Sequence, residues 1–276
     1  MLGMSRYSAL DRFALKAATK ASELVMAPAN RREVFEQFVM TVTAVTELSA
    51  HMRRVTFHAP EFASFELTGP DEYFGLMVAT GRELVMPADD RINVRSALRA
   101  MPEDVRPDLR WYTIRAHRPA VAEIDVDFVL HGDAGPGTRW ARRAIAGDKA
   151  GFRAGGSAYR PPADGSVLLV ADETALPALS AILENGTRPV QVFVEVPDES
   201  YRVDLDVEWV FRGADEPGSA VLKAIAGKAL STVDYGWACG ESGLATGMRR
   251  HLVKDRGVDR KAVMFSGYWK VGSARL

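Results

Sequence analysis

Arg110, Tyr112 and Thr113 stand together in the run Arg110-Trp111-Tyr112-Thr113-Ile114-Arg115, inside an apolar stretch of β type. Alternate residues of a strand share a face, so Arg110 and Tyr112 emerge side by side. A guanidinium holds a pyrophosphate as a charged fork. A tyrosine ring two residues further on can lie flat on an isoalloxazine. Thr113 can turn its hydroxyl or its backbone toward the reactive nitrogen of such a ring. The set suits a flavin. Taken alone, the same tetrapeptide is also an ordinary half-buried strand, so its neighbours matter.

Further along, Gly135-Pro136-Gly137-Thr138 opens a helix that continues through Arg139-Trp140-Ala141 to Ala144. Unpaired N–H groups and the positive dipole end of a helix start favour a phosphate. Thr138 can cap that helix or bind a ligand oxygen, and a plain glycine turn with a capped helix fits the same letters. Asp172, Glu173 and Thr174 follow a continuous apolar strand and precede another helix. Ligands bind at such carboxyl ends. Thr174 and Asp172 can therefore hold a nicotinamide ribose or phosphate, or simply cap the helix. No Gly-x-Gly-x-x-Gly fingerprint accompanies them. Glu195, Asp198 and Glu199 suit a free ribose 2′-hydroxyl, hence NADH, whereas Arg202 suits a 2′-phosphate, hence NADPH. These cues conflict. Cys239, Gly240 and Glu241 end a further strand. There Gly240 gives backbone room, Glu241 can contact a ribose or the next helix, and Cys239 fits a small buried side chain.

The elements that must position these residues divide the chain in three. Residues 1 to 35 are expected to be a helical extension, with Leu10, Phe13, Ala14 and Ala17 at helical spacing and Ala27-Pro28-Ala29-Asn30 ending the run. It reads as a packing helix, a frayed tail or a dimer contact. Residues 36–162 are strand-rich, with runs at 38–45, 52–57, 111–115 and 123–131. Short strands with turns between them predict an antiparallel β-barrel. The polar connection 87–107, with a helical stretch at 94–101, is long enough to be functional. After Pro161-Pro162-Ala163-Asp164-Gly165 the pattern changes. Residues 163–276 alternate strands (166–171, 190–196, 208–211, 234–238, 262–266) with helices (175–183, 219–229, 243–253), which predicts a parallel α/β nucleotide-type domain.

Together, the Arg-x-Tyr-Thr motif, His131-Gly132-Asp133, Gly135 to Ala141, and Gly267-Tyr268-Trp269-Lys270 resemble the siderophore-interacting protein family of ferric-siderophore reductases, within the ferredoxin-reductase-like superfamily. The resemblance runs from about residue 40 to 272 and leaves the N-terminal extension outside. It implies an FAD-binding barrel followed by a domain that presents NADH or NADPH, with a ferredoxin as an alternative donor. Arg110 would contact the flavin pyrophosphate, Tyr112 would stack on the isoalloxazine, and Thr113 would bond near N5. His131 and Gly132 would lie beside the diphosphate and adenosine. Relatives often carry Ala and Ser at positions 137 and 138, and Ala at 239, so this chain departs there. In the wider superfamily a Cys at position 239 lies against the nicotinamide, a second reading for that thiol. Trp269 would cover the flavin or pack the domain seam. Lys270, with Arg115 and more weakly Lys261, would face a polyanionic ferric complex. The implied activity passes electrons through the flavin to siderophore-bound Fe³⁺. A general flavin reductase and a non-catalytic siderophore binder are the alternatives.

Composition sets the outer bounds. The 276 residues are 47% hydrophobic and 26% charged, as in ordinary soluble domains. A formal net charge of -1 gives no global case for nucleic acid or a membrane surface, so any basic site is local. Cys239 is the one cysteine, which excludes an internal disulfide and suits a reducing cytoplasm. No segment approaches the ~20 apolar residues of a membrane span. Asp11, Lys16, Lys20 and Glu23 interrupt what would be a signal peptide's apolar core. Paired Cys or His spacings for zinc or iron–sulfur, a P-loop and a Gly-x-Ser-x-Gly elbow are all absent.

Overall fold

The computed structural model describes residues 7–81, 83–130, 135–186 and 190–273. The elements run α1 (Ala9–Glu23), β1 (Asn30–Arg31), β2 (Gln37–Ser49), β3 (Met52–His58), β4 (Tyr73–Val78), α2 (Val94–Arg99), β5 (Asp108–Thr113), β6 (Ala116–Arg118), β7 (Glu123–Val129), α3 (Pro136–Arg143) and β8 (Lys149–Ser157). There follow β9 (Val167–Asp172), α4 (Leu176–Asn185), β10 (Val190–Val196), β11 (Glu208–Phe211), α5 (Ser219–Ala226), β12 (Tyr235–Glu241), α6 (Ser242–Arg250) and β13 (Val263–Trp269).

The first sheet is antiparallel, in the order β5-β4-β8-β2-β3-β7-β6, with β1 added on β8. Its period-two patterning explains the core. Ile124, Val126 and Phe128 of β7 point inward onto Phe57, Phe74 and Phe152. Asp125 and Asp127 occupy the opposite face, yet both are buried, because Arg54, Arg115 and Arg118 lie over them.

The expected antiparallel sheet forms, but among the described residues no ladder joins its two edge strands to close it into a barrel. The edges are nonetheless one chain run, since only Ile114 and Arg115 separate β5 from β6. Ile114 N–H donates to Glu72 beside β4, and Arg115 N–H donates to Asp125 of β7. Three residues reach no further than ~10 Å. The sheet must therefore curl until its edges meet, and the handover at Ile114-Arg115 replaces the closing ladder.

The N-terminal segment is less helical than expected. The helix stops at Glu23, after which Ala27 N–H donates to Val263 of the second sheet and β1 pairs with β8.

The second sheet is wholly parallel, in the order β11-β10-β9-β12-β13. Val167, Leu169 and Ala171 pack with α4 on one face, and Leu168 and Val170 with α5 and α6 on the other. The chain leaves β9 toward β10 on one side and returns as β12 on the other. That reversal puts the topological switch point at the carboxyl ends of β9 and β12, where ligands of such sheets bind.

Candidate functional site

β5 brings Tyr112 against the start of α3, with Arg110 beside it on the same strand face and Thr113 buried on the other. The Tyr112 ring packs on Phe128, 4.4 Å between centroids, and burial raises its phenol well above the ordinary range. Its hydroxyl lies over Gly137, where a Cβ would collide with it. The N-cap of α3 is Gly135, which offers no capping side chain, and the first turn holds no acid. Thr138 sits inside that turn and is buried, so it does not cap the helix. The other end of α3 is well covered, for the Arg53 guanidinium takes the carbonyls of Ala141, Arg142 and Ala144. Among the described residues, no acid or capping side chain meets the first-turn amides of α3, the positive pole of this helix.

Arg110 and Arg115 have different situations. The Arg110 guanidinium bonds the Leu109 carbonyl and pairs with no acid among the described residues. Arg115 is clamped by both oxygens of Glu184 on α4 and lies 3.6 Å from Asp127. Its charge is compensated, so the expected role beside an anionic substrate gives way to a tie between the two sheets.

The switch point of the second sheet is organised by Asp172, which is fully buried. One carboxylate oxygen accepts from the Thr174 backbone at 2.8 Å and its hydroxyl at 2.6 Å. The other accepts from the Glu241 backbone at 2.7 Å and the Trp269 indole at 2.8 Å. Burial, then the neighbouring Glu173, pushes this carboxyl up to about 6, against the pull of those donors. Gly240 is shaped by the same group, with φ +140° and Asp172 Cγ 2.5 Å from the place of a Cβ. Asp172, Thr174, Gly240, Glu241 and Trp269 therefore form one knot across the ends of β9, β12 and β13. Glu241 turns to the next helix, capping α6 at Gly243 and Leu244.

Other expected residues lie elsewhere. Cys239 is fully buried against Tyr268 in the core at the seam, and burial holds its thiol well above its usual range. It fits the small-side-chain reading. Glu195 is also fully buried, accepting from Gly218 and Val221 at the start of α5. It is spent as a helix cap and cannot meet a ribose. Asp198 caps its own turn, and Arg202 pairs with Glu199 in solvent. Lys270 follows β13 and is exposed. Lys261 precedes the same strand, roughly 20 Å away at ~3.3 Å per residue, and so leaves the site. His131 and Gly132 lie outside the described residues.

Two buried acids have partners that no local spacing announces. Glu173 forms a two-bond clamp with Arg212, each contact 2.7 Å. Asp71 accepts from Ser157 and from the backbone of Ala158 and Tyr159, pinning the exit of β8. Neither has a local signal, because each partner is supplied by another element.

Family profiles match both halves: residues 41–158 as a siderophore-interacting FAD-binding domain, and residues 165–272 as siderophore-interacting protein. The chain belongs to the siderophore-interacting protein family. A siderophore utilization protein from T. fusca superposes with TM-score 0.75 at 30% identity, covering 88% of this chain and 95% of that one. The ferric vibriobactin reductase ViuB of Vibrio cholerae is 28% identical over 199 residues, 66% of this chain and 72% of its own. A ferredoxin reductase of carbazole 1,9a-dioxygenase shares the fold alone, with TM-score 0.60 at 16% identity, over 85% of this chain and 70% of that one.

In this siderophore-interacting protein the residues beside Tyr112 fit an FAD diphosphate: a guanidinium with no acid partner among the described residues, a helix start with no capping side chain among them, and a glycine that leaves the tyrosine its place. Gly137→Ala is expected to displace the Tyr112 ring and weaken FAD binding about tenfold, while leaving the melting temperature within a few degrees. Titration of flavin-stripped protein with FAD, alongside thermal unfolding, checks both.

Proposed function

We propose that this chain is an FAD-dependent ferric-siderophore reductase that draws electrons from NADH or NADPH and acts in the cytoplasm. The observation that carries it is the seat of the Tyr112 hydroxyl over Gly137 in the first turn of α3, with the Arg110 guanidinium beside the same tyrosine. Family membership and the named reductase among its relatives support the substrate class.

The chemistry FAD supplies when bound is acceptance of an electron pair from a nicotinamide and its release as single electrons. Arg110 and the first-turn amides of α3 would hold the diphosphate, and Tyr112 would orient the ring system. Thr113, buried next along β5, would stand at the ring's reactive edge. The Asp172 knot, which fixes Thr174, Glu241 and Trp269, stands at the strand ends that would receive the nicotinamide. Lys270, exposed beyond β13, would meet an anionic ferric complex. One nicotinamide reduces two ferric ions, giving two ferrous ions, oxidised nicotinamide and a proton. Hard oxygen ligands hold the less charged ferrous ion weakly, so reduction loosens the complex.

The test is a visible spectrum of the purified protein, identification of the chromophore it releases on denaturation, and anaerobic turnover of a panel of ferric chelates. NADH, NADPH and reduced ferredoxin are compared as donors, with ferrous iron read by a chromogenic chelator. Released FAD and turnover of ferric siderophores are the expected results. A colourless protein that takes up no added FAD would overturn the flavin site. A flavoprotein that reduces ferricyanide but no siderophore complex would overturn the substrate.

A further inference from the structure

The N-terminal helix α1 presents its apolar face the wrong way round for a packing helix. At 3.6 residues per turn, Leu10, Phe13, Ala14, Ala17, Ala21 and Leu24 form one stripe. Every one of these is exposed, with Leu10 at 76%, Phe13 at 71% and Leu24 at 54%. The face turned to the body is the more polar one, where Asp11, Leu15, Thr19 and Ser22 are half-buried. The helix is anchored by polar bonds from that side and from its end: Arg31 donates to the Ser22 hydroxyl, and Arg249 to the Val25 carbonyl. Its orientation therefore follows from these anchors, which leave the apolar stripe pointing outward. Lys16 and Lys20 run along one edge of the stripe, both exposed and in no ion pair among the described residues. Glu23 is the one acid on that edge, at its far end.

We propose that α1 is a membrane-surface anchor, lying in the headgroup region of an anionic bilayer with Leu10, Phe13 and Leu24 immersed and Lys16 and Lys20 on the phosphates. An amphipathic helix of low overall hydrophobicity with cations beside an apolar face binds in this manner. A second copy of the chain is the poorer occupant on area. Fifteen residues make a helix ~22 Å long and ~10 Å wide, a footprint of roughly 200 Å². A stable dimer buries about 800 Å² per partner. A bilayer sets no such minimum. The anchor lies outside the matched family segments, which begin at residue 41, and adds a location to the chain without touching the flavin site.

Flotation of the full FAD-loaded chain with lipid vesicles tests this. Binding is expected to vesicles of phosphatidylcholine mixed with phosphatidylglycerol, and weaker binding to phosphatidylcholine alone. Leu10→Asp with Phe13→Asp is expected to lower the bound fraction at least about tenfold on both. Lys16→Glu with Lys20→Glu is expected to lower it about tenfold on the anionic vesicles only. These side chains are exposed, so bound FAD and melting temperature should not change and serve as the check on folding. The proposal is overturned if the native chain does not float with anionic vesicles, or if the Leu10 and Phe13 changes leave flotation intact. It is equally overturned if sedimentation equilibrium finds a dimer that those two changes convert to monomer. None of these outcomes bears on whether the protein reduces ferric siderophores.

Discussion

Asp172→Ala is expected to destabilise the protein by about 3–5 kcal/mol, because four donors, the buried Glu241 amide among them, lose a fully buried acceptor at once. Urea unfolding measures it. The same variant removes the Asp172 acceptor from the Trp269 indole, so tryptophan fluorescence of the native state should shift as well. Asp172→Asn separates charge from geometry. Its carbonyl can still serve Thr174, but its NH₂ faces the donors of Glu241 and Trp269, so about half of the loss should remain. The pH dependence has a definite sign. The folded carboxyl, at about 6, lies above its ordinary 3.8. Its contribution is thus full below about pH 4 and is lost as pH rises to 6, on the order of 3 kcal/mol. Relative to Asp172→Asn, the native protein should lose stability across that window. A flat difference between the two from pH 4 to 7 would remove the buried carboxyl from the account.

Arg110→Ala is expected to abolish stable FAD binding, raising the dissociation constant by about a hundredfold through loss of a charge-assisted fork on the diphosphate. Tyr112→Ala should do nearly as much and also cost about 2–4 kcal/mol, since its ring packs on Phe128. Arg115→Ala is the informative control, five residues further along the same run. It should keep its flavin, lose the tie to Glu184, and change little in stability, because that pair is half in solvent. Equal flavin content in the native, Arg110→Ala and Tyr112→Ala proteins would remove the site from β5.

The period-two pattern of β7 and the alternation of strand and helix after Gly165 were legible from the letters alone, and they carried both sheets. What escaped was what lies on the far side of each strand. Alternation along β7 sets Asp125 and Asp127 opposite the apolar face, and Arg54, Arg115 and Arg118, brought from β3 and the β5–β6 run, make them interior. The site was legible as residues but not as an arrangement. Asp172, Gly240, Glu241 and Trp269 each stand out at a strand end, yet the bond from Trp269 to Asp172 spans 97 residues. No local spacing encodes it. Glu195 misled for the opposite reason. An acid at the end of a second parallel strand meets a ribose or caps a helix with the same letters, and only its burial decides.

The run that carries the flavin motif also governs how this sheet behaves toward other chains. An open sheet exposes two rows of unpaired backbone groups, ready templates for aggregation. Here both edges are the same eleven-residue run, Asp108 to Arg118, bent at Ile114-Arg115 so that one edge ends where the other begins. Neither edge is left as a long flat ladder for a stranger to extend. Lengthening that two-residue bend would let the edges part, and the protein would turn sticky before it lost its fold.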